Sequence, residues 1–396
     1  MGKTKPHQKK ASTSRQKSTP RQKMDDSPPA LLEQAIVLLQ TGRAEEALSM
    51  AQHALELAPE NSPSQLGSVN LLAEVYIELG DIDSARDHFL LAVEMDSDGT
   101  IPESEGGGPE KFLWLAQLSE NGGADSVGWF EKGVSALRQI IQQLEEKAVP
   151  GKAAIAEEKK RKMANALCGV AEIYMTDLSW EEDAESRCES LITEALMVYP
   201  NAPEVLQTLA SIRISQQRID DARAALSRSI EIWKDLLPED PTVPDFAIRI
   251  ALSRLLMEVA MEFEALAVIE RLILEDDQSV EAWYLGGWCL QLLAEKQQAP
   301  KDAEAEEAPE SKRHASLVAS REWLKQSLRL YGLVQYEDER LKEHAIELVQ
   351  EMNKEIGEDM EDDNNGEEGE EGEDGEDGWE DQIEGESDED HDMADS

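Results

Sequence analysis

This sequence of 396 residues lacks the features of secreted and membrane proteins. It has three cysteines, Cys168, Cys188 and Cys289, and their odd number and scattered positions favour reduced thiols in the cytosol or nucleus over a disulfide framework. No apolar run approaches the ~20 residues that a membrane span requires, and the first residues lack the apolar core of a signal peptide. We therefore expect no contact with a membrane.

Patterns that carry catalytic or ligand-binding chemistry are also missing. The run Gly106-Gly107-Gly108 is not followed by the Lys and the Ser or Thr of a phosphate-binding loop. The 6 histidines are scattered without metal-ligand spacing, and no Cys-x-x-Cys occurs. We therefore expect no enzyme activity, no metal, no cofactor and no small-molecule ligand.

Positive charge is scarce and unevenly placed. The formal net charge is -47, from 38 Lys and Arg against 85 Asp and Glu. Residues 1–23 hold 8 bases and no acid, residues 358–396 hold 22 acids and no Lys or Arg, and the rest holds 63 acids and 30 bases. Phosphate contacts require a basic surface, so we expect no direct binding of nucleic acid. A body this acidic attracts basic proteins instead.

Both ends of the chain have the composition of disordered segments. Residues 1–27 are predicted to be a basic arm and residues 358–396 an acidic tail, because neither holds enough apolar side chains to fold. Two interpretations of the arm stay open, a nuclear-import signal bound by an import receptor and a solvated tail. The basic residues of such a signal are Lys3, Lys5, Lys9, Lys10, Arg15, Lys17, Arg21 and Lys23.

The stretch from Leu31 to Pro59 predicts two short antiparallel helices. Apolar residues recur at helical spacing, Gly42 ends the first helix and Pro59 ends the second. Neither helix can bury its apolar face alone, so the unit requires neighbours. The small residues that would allow two backbones to approach closely are Ala35, Ala47 and Ala54.

The stretch from Leu66 to Val93 repeats this plan. Its spacing, Leu-Ala-x-x-Tyr followed by Ala, Phe and Ala, resembles the tetratricopeptide repeat, a helix–turn–helix unit of about 34 residues. Stacked units of this kind form a superhelix with a concave inner face. The matched positions are Ala35 with Ala73, Gly42 with Gly80, Ala47 with Ala85 and Ala54 with Ala92.

Further helix pairs are predicted along the rest of the chain. The predicted fold is all-α, a tetratricopeptide-repeat superhelix (an α-solenoid) of about seven helix pairs over residues 28–357. Residues 146–162 and 295–312 are predicted to be insertions. The basic run from Lys159 to Lys162 is interpreted as a solvated face, with a binding patch as the alternative. The polar amphipathic helix from Glu337 to Ile356 suits a terminal cap.

The final helix pair is predicted to be split by its insertion. VEAWYLGGWCLQLL supplies its first helix, with Gly287 at a position that requires a small residue. We expect the second helix to run from Ala315 to Tyr331, after the acidic, alanine-rich insertion. The two helices would then pack together across a long connection.

The repeat register also predicts a binding surface. In tetratricopeptide proteins the first helix of each pair lines the concave face, and here those positions are acidic, amide or aromatic. Such a set suits an extended segment rich in Lys or Arg, through charge-assisted hydrogen bonds and cation–π contacts, although ordinary solvated faces are the alternative. The predicted positions are Asn70, Glu74, Glu110, Gln117, Glu120, Asn165, Glu172, Glu204, Gln207, Glu281, Tyr284 and Trp288.

The whole chain resembles the fungal family of dedicated assembly chaperones of large-subunit ribosomal protein four. The resemblance rests on LLAEVYIELGDIDSARDHFLLAVEMD, VEAWYLGGWCLQLL and the tail GEEGEEGEDGEDGWEDQIEGESDED. It implies a protein that captures the new, very basic ribosomal protein and holds its long internal loop in the concave groove. It further implies escort from the cytoplasm into the nucleus and release on the pre-ribosome, without nucleotide or metal.

Two other functions fit the same residues. A tetratricopeptide adaptor in a multi-protein complex would use the repeats without preferring basic ligands. A histone chaperone would use the acidic tail, because histones are basic too. Removing residues 358–396 separates these hypotheses, since a groove-binding protein keeps most of its affinity without the tail.

Overall fold

The protein is described from a computed structural model, in which residues 26–146, 153–297 and 308–357 are defined. These residues form α-helices and one short 3-10 helix, and no β-strand occurs among them. Nearly all of the basic arm and the whole acidic tail lie outside the described residues, so both remain predictions.

The helices follow one another as antiparallel pairs that pack in sequence order. The first four pairs are α1 (Pro28–Gln40) with α2 (Ala44–Leu57), α3 (Pro63–Glu78) with α4 (Ile82–Met95), α5 (Glu110–Gln117) with α6 (Gly123–Glu146), and α7 (Ala153–Met175) with α8 (Ala184–Val198). The remaining helices are α9 (Pro203–Ser215) with α10 (Ile219–Trp233), α11 (Phe246–Glu258) with α12 (Glu262–Glu275), α13 (Val280–Lys296) with α14 (Ala308–Val334), and a final α15 (Glu339–Ile356). The prediction of about seven helix pairs is confirmed.

Four of the turns within pairs share one backbone conformation. Gly42 and Gly80 have φ of 72° and 76°, the left-handed region that ends a helix at low cost in glycine. Gln217 and Ala260 adopt the same conformation at the equivalent turns, with φ of 60° and 62°. The turn geometry is therefore kept where glycine is absent, which explains why these later breaks are faint in the sequence.

Small residues lie at the helix contacts, as the repeat pattern predicts. Ala35, Ala47 and Ala54 of the first unit are fully buried, and so are Ala73 and Ala85 of the second. Because alanine has only a methyl side chain, helix axes can approach closely at these positions. First helices also contact the first helices of neighbouring pairs, α7 with α9, α9 with α11 and α11 with α13, which forms the inner wall of a solenoid.

The connection between α4 and α5 is anchored rather than loose. It contains the 3-10 helix η1 (Glu103–Glu105), and the backbone of Gly106 (φ 80°) packs directly on Gly67 of α3. The Asp96 carboxylate accepts backbone N–H groups of this connection and also an ion pair from Lys111. This anchoring fixes the start of α5, which carries Glu110.

The interpretation of Lys159–Lys162 as a solvated face is wrong for two of its members. Residues 153–162 are the first part of the long helix α7, and Lys159 is only 3% exposed. Its Nζ donates to Glu103 of η1 and lies 3.9 Å from Glu110 of α5. Lys162 pairs with Glu110 as well. Sequence periodicity missed this because the partners are more than 50 residues away in the chain.

The last helix pair is longer than predicted. The helix α14 begins at Ala308 rather than at Ala315, so residues 308–312 belong to the helix, and α13 extends to Lys296. The predicted cap is confirmed. Its apolar stripe, Leu341, Ala345, Leu348 and Met352, is the buried face of α15.

Candidate protein-binding groove

Successive inner helices enclose one large open cavity of about 1000 Å³. Residues of α3, α5, α7, α9 and α11 line it, together with Leu39 of α1 and Phe130 of α6. Each of the five inner helices contributes side chains spaced three and four residues apart, which is the spacing of one helix face. This concave surface is called the groove below.

Carboxylates dominate the polar surface of the groove. Glu74, Glu78, Glu110, Glu172 and Glu204 line it, against the single basic side chain of Lys162. A concave wall with this excess of negative charge focuses the field on a cationic ligand. Of the twelve predicted positions, seven come together here: Glu74, Glu110, Gln117, Asn165, Glu172, Glu204 and Gln207.

Three of the carboxylates have raised pKa values. Burial raises the pKa of Glu74, the adjacent Glu110 carboxylate raises it further, and Lys162 acts in the opposite direction. The surrounding helices desolvate Glu172 and raise its pKa, although the Thr208 hydroxyl donates to it at 3.3 Å. Burial likewise raises the pKa of Glu204. A bound cation would stabilise the charged form of all three.

Lys162 neutralises one end of the groove. Its Nζ donates to Glu110 and lies 3.0 Å from Glu158. Burial alone lowers the pKa of this ammonium group, but the bonds with Glu110 and Glu158 outweigh it and the net pKa is raised. Lys162 is therefore charged at neutral pH and serves as an internal counter-ion.

The floor of the groove is apolar, and the sequence analysis did not include it. Leu113 and Trp114 lie on the same stripe of α5 as Glu110 and Gln117, and Trp114 stacks on Phe89 at 6.3 Å. Their spacing of three and four residues from Glu110 is the sequence signal that identifies them, because it places them on the same face of α5. The apolar members are Leu39, Ile77, Leu113, Trp114, Phe130, Ala166, Ile248, Ala251 and Leu255.

Three of the predicted positions lie outside the groove because they serve other elements. Asn70 donates to the carbonyl of Gly106 at 2.7 Å and so holds the α4–α5 connection. Glu120 pairs with Arg86. Glu281 pairs with Arg254.

Two further predicted positions, Tyr284 and Trp288, contact the cap helix. The hydroxyl of Tyr284 lies 2.7 Å from Nδ1 of His344 on α15, and Tyr284 is only 8% exposed. The Trp288 ring meets the same histidine edge to face at 5.2 Å. The repeat register does not reveal this, because α15 is packed against α13 where a further repeat would otherwise begin.

The described residues show neither a metal-binding cluster nor an activated thiol in the groove. No group of three or more His, Cys, Asp or Glu side chains in these ranges is arranged to hold a metal ion. Cys168 lines the groove, but desolvation raises the pKa of its thiol to about 12, which keeps it protonated and a poor nucleophile. Within the same ranges, no helix has the length and apolar character to cross a membrane.

Comparison with known proteins agrees with the repeat architecture. A family model described as "Tetratricopeptide repeat" matches residues 27–98, which span the first two helix pairs. A protein of Emericella nidulans, "Probable assembly chaperone of rpl4", is 66% identical over 407 aligned positions that cover 100% of both chains. The chain belongs to the family of assembly chaperones of rpl4.

Other members of the family extend this relationship. A Schizosaccharomyces pombe protein with the same name is 35% identical over 309 positions, covering 78% of this chain and 85% of its own. A solved structure, "Assembly Chaperone of RpL4 (Acl4) (Residues 1-338)", is 53% identical and superposes with a TM-score of 0.64. It covers 68% of this chain and 98% of its own, so the family fold includes most of the solenoid.

Proposed function

We propose that this chain is an assembly chaperone of ribosomal protein rpl4, which it holds in the acidic groove until rpl4 joins the pre-ribosome. The observation that carries the proposal is the full-length match, at 66% identity, to a protein named for this role. The side chains of the groove suit the binding of a basic loop. Its carboxylates suit Lys and Arg side chains of an extended loop, and its apolar floor suits the residues between them.

The negative charge of the groove also gives a physical reason why a basic protein such as rpl4 requires a chaperone. A free basic loop binds nucleic acid without selectivity, because phosphate contacts supply most of its affinity. An acidic groove masks those side chains. Release then follows when the phosphates of ribosomal RNA compete for the same cations, and neither nucleotide hydrolysis nor a metal is needed.

Localisation to both cytoplasm and nucleus is part of the proposal. New ribosomal proteins are made in the cytoplasm and assembled in the nucleus, so the chaperone has to be present in both. The basic arm, with Lys3 to Lys10 and Arg15 to Lys23, is proposed as the segment that an import receptor recognises. Replacing its 8 bases by Gln tests this, with a nuclear fluorescence signal expected to fall.

The test of the function is a set of binding titrations with the purified full chain. We expect a one-to-one complex with recombinant rpl4 and protection of rpl4 from aggregation. A chain ending at Gly357 should keep most of that affinity, because the groove remains intact. Tighter binding to histones, lost with the tail, would favour a histone chaperone. Indifference to basic ligands would favour an adaptor.

A further inference from the structure

The two ends of the groove differ in how their carboxylates are balanced. At one end, Lys162 bonds to Glu110 and lies 3.0 Å from Glu158, so the negative charge of Glu110 is already met from within the chain. Glu74 lies near this pair and is partly compensated by Lys162. A cation that arrives at this end must compete with Lys162.

At the other end, the internal cation is more distant: Arg161 lies in a neighbouring surface pocket with Glu204 and acts to lower its pKa, but forms no ion pair with it. Within the described residues, no basic side chain forms an ion pair with Glu172 or Glu204 at or below 4.0 Å. Glu172 accepts a hydrogen bond from Thr208, one turn along α9 from Glu204, so the two carboxylates approach the same part of the groove. Burial outweighs the charge of Arg161 and raises the pKa of Glu204, so two desolvated carboxylates without an ion-pair partner are costly in the free protein.

Gln207 adds an independent sign of a ligand at this end. It lines the groove from α9 and is only 6% exposed, yet its side-chain Nε2 has no hydrogen-bond acceptor. A buried amide donor without a partner is rare, since the lost hydrogen bond with water is not replaced. A carbonyl oxygen of an extended peptide backbone is the acceptor that would satisfy it, whatever the side chains of that peptide are.

We infer that one cationic side chain of the bound segment enters the groove at Glu172 and Glu204, that Gln207 donates to a main-chain carbonyl of the same segment, and that Lys162 keeps a second cation away from Glu110. This inference rests on the proposed function and adds which end of the groove takes the charged residue of the bound segment and which takes the apolar one. The bound segment has a Lys or Arg at the α7–α9 end. Toward Leu113 and Trp114 it has an apolar residue.

The inference is tested by titrating recombinant rpl4 into full-chain variants at several salt concentrations. We expect Glu172→Gln and Glu204→Gln each to weaken binding about tenfold and to flatten its salt dependence, because each removes one charge from the pair. Gln207→Leu should weaken binding about threefold and leave the salt dependence unchanged, since it removes one uncharged hydrogen bond. Circular dichroism checks that each variant is folded.

The opposite effect is expected at the other end of the groove. Lys162→Met removes the nearer of the two lysines at Glu110 and leaves Lys159 at 3.9 Å, so it should tighten binding severalfold while steepening its salt dependence, because the Glu110 carboxylate becomes more available. Lys162→Gln serves as a second variant in case the Met change disturbs α7. The matched control is Glu270→Gln on α12, an exposed glutamate outside the groove, which should bind as the unmodified chain does.

The outcomes distinguish failure of the proposed function from failure of the cation subsite. If the unmodified chain does not bind rpl4, the proposed function fails. If it binds and Glu172→Gln and Glu204→Gln bind equally well, the function stands and the cation subsite is wrong. Weaker binding by both Lys162 variants would show that Lys162 contacts the ligand instead of opposing it, which also overturns the inference.

Discussion

The Nζ atom of Lys111 lies 2.7 Å from Oδ2 of Asp96, and the two side chains are 0% and 3% exposed. Lys111 also donates to the carbonyl of Gly108 at 2.7 Å, and Asp96 accepts backbone N–H groups of Thr100 and Gly108. One buried ion pair thus ties both ends of the α4–α5 connection together. Because Glu110 is the neighbour of Lys111, this pair also fixes one wall of the groove.

Lys111→Met is expected to destabilise the protein by about 3 kcal/mol, because it leaves the Asp96 carboxylate buried without its cation. Chemical denaturation followed by circular dichroism measures the loss. The matched control is Lys132→Met, an exposed lysine over the Trp129 ring, which should cost about 1 kcal/mol or less. Equal effects of the two substitutions would show that the buried pair contributes no special stability.

Gly287→Ala is expected to destabilise the pairing of α13 with α14 by about 1–3 kcal/mol. A Cβ at this position would lie 2.6 Å from Cγ of Leu324 and 3.1 Å from its backbone nitrogen, so the two helices would have to separate. Gly128→Ala on α6 is the control, because a Cβ there meets nothing within 4 Å. The control variant should be more stable by about 0.5–1 kcal/mol, because alanine has a higher helix propensity than glycine. Thermal melts of both variants test the contrast.

The repeat register could be derived from the sequence because it depends on local spacing. Positions such as Ala35, Ala73 and Gly287 must be small wherever helix pairs stack, and the structure buries the two alanines and packs Leu324 on the glycine. The same register placed seven of the twelve suggested residues in one groove. It did so because residues on one face of successive inner helices share that surface.

The predictions that differ from the structure involve contacts between distant parts of the chain. Nothing near Lys159 in the sequence indicates that Glu103 lies beside it, 56 residues away. Tyr284 and Trp288 are on a first helix, but the cap helix carries His344 onto them. Sequence spacing identifies the face of a helix and not the element that covers that face.

Glu74→Gln is expected to leave the free protein equally stable or more stable at neutral pH. The pKa of Glu74 is raised in the folded state by burial and by Glu110, so its ionised form opposes folding above that pKa, and protonation relieves the cost as the pH falls. The advantage of the variant should therefore be largest at pH 7 and shrink toward pH 4.5. Melting temperatures across this range measure it. A variant less stable at pH 7 would contradict the burial argument.

Binding of rpl4 should weaken as the pH falls from 7 toward 4.5, the ordinary pKa of a glutamate side chain. The free groove holds Glu172 and Glu204 with raised pKa values, and a bound cation lowers them, so binding releases protons and acid opposes it. Titrations at roughly pH 7.5, 6.5 and 5.5 measure the trend. The double variant Glu172→Gln and Glu204→Gln should show a flatter dependence. Equal slopes would mean that other groups carry the protons.

The most direct test of the groove compares two sets of charge reversals in the full chain. One variant changes Glu74, Glu172 and Glu204 to Lys. The control changes Glu120 and Glu281 to Lys, and both of these residues lie outside the groove. If the groove holds rpl4, the triple variant should lose rpl4 in a titration at moderate salt by a hundredfold or more, while the control binds within about threefold of the unmodified chain. Unchanged binding by a folded triple variant, or an equal loss in the control, would contradict the account.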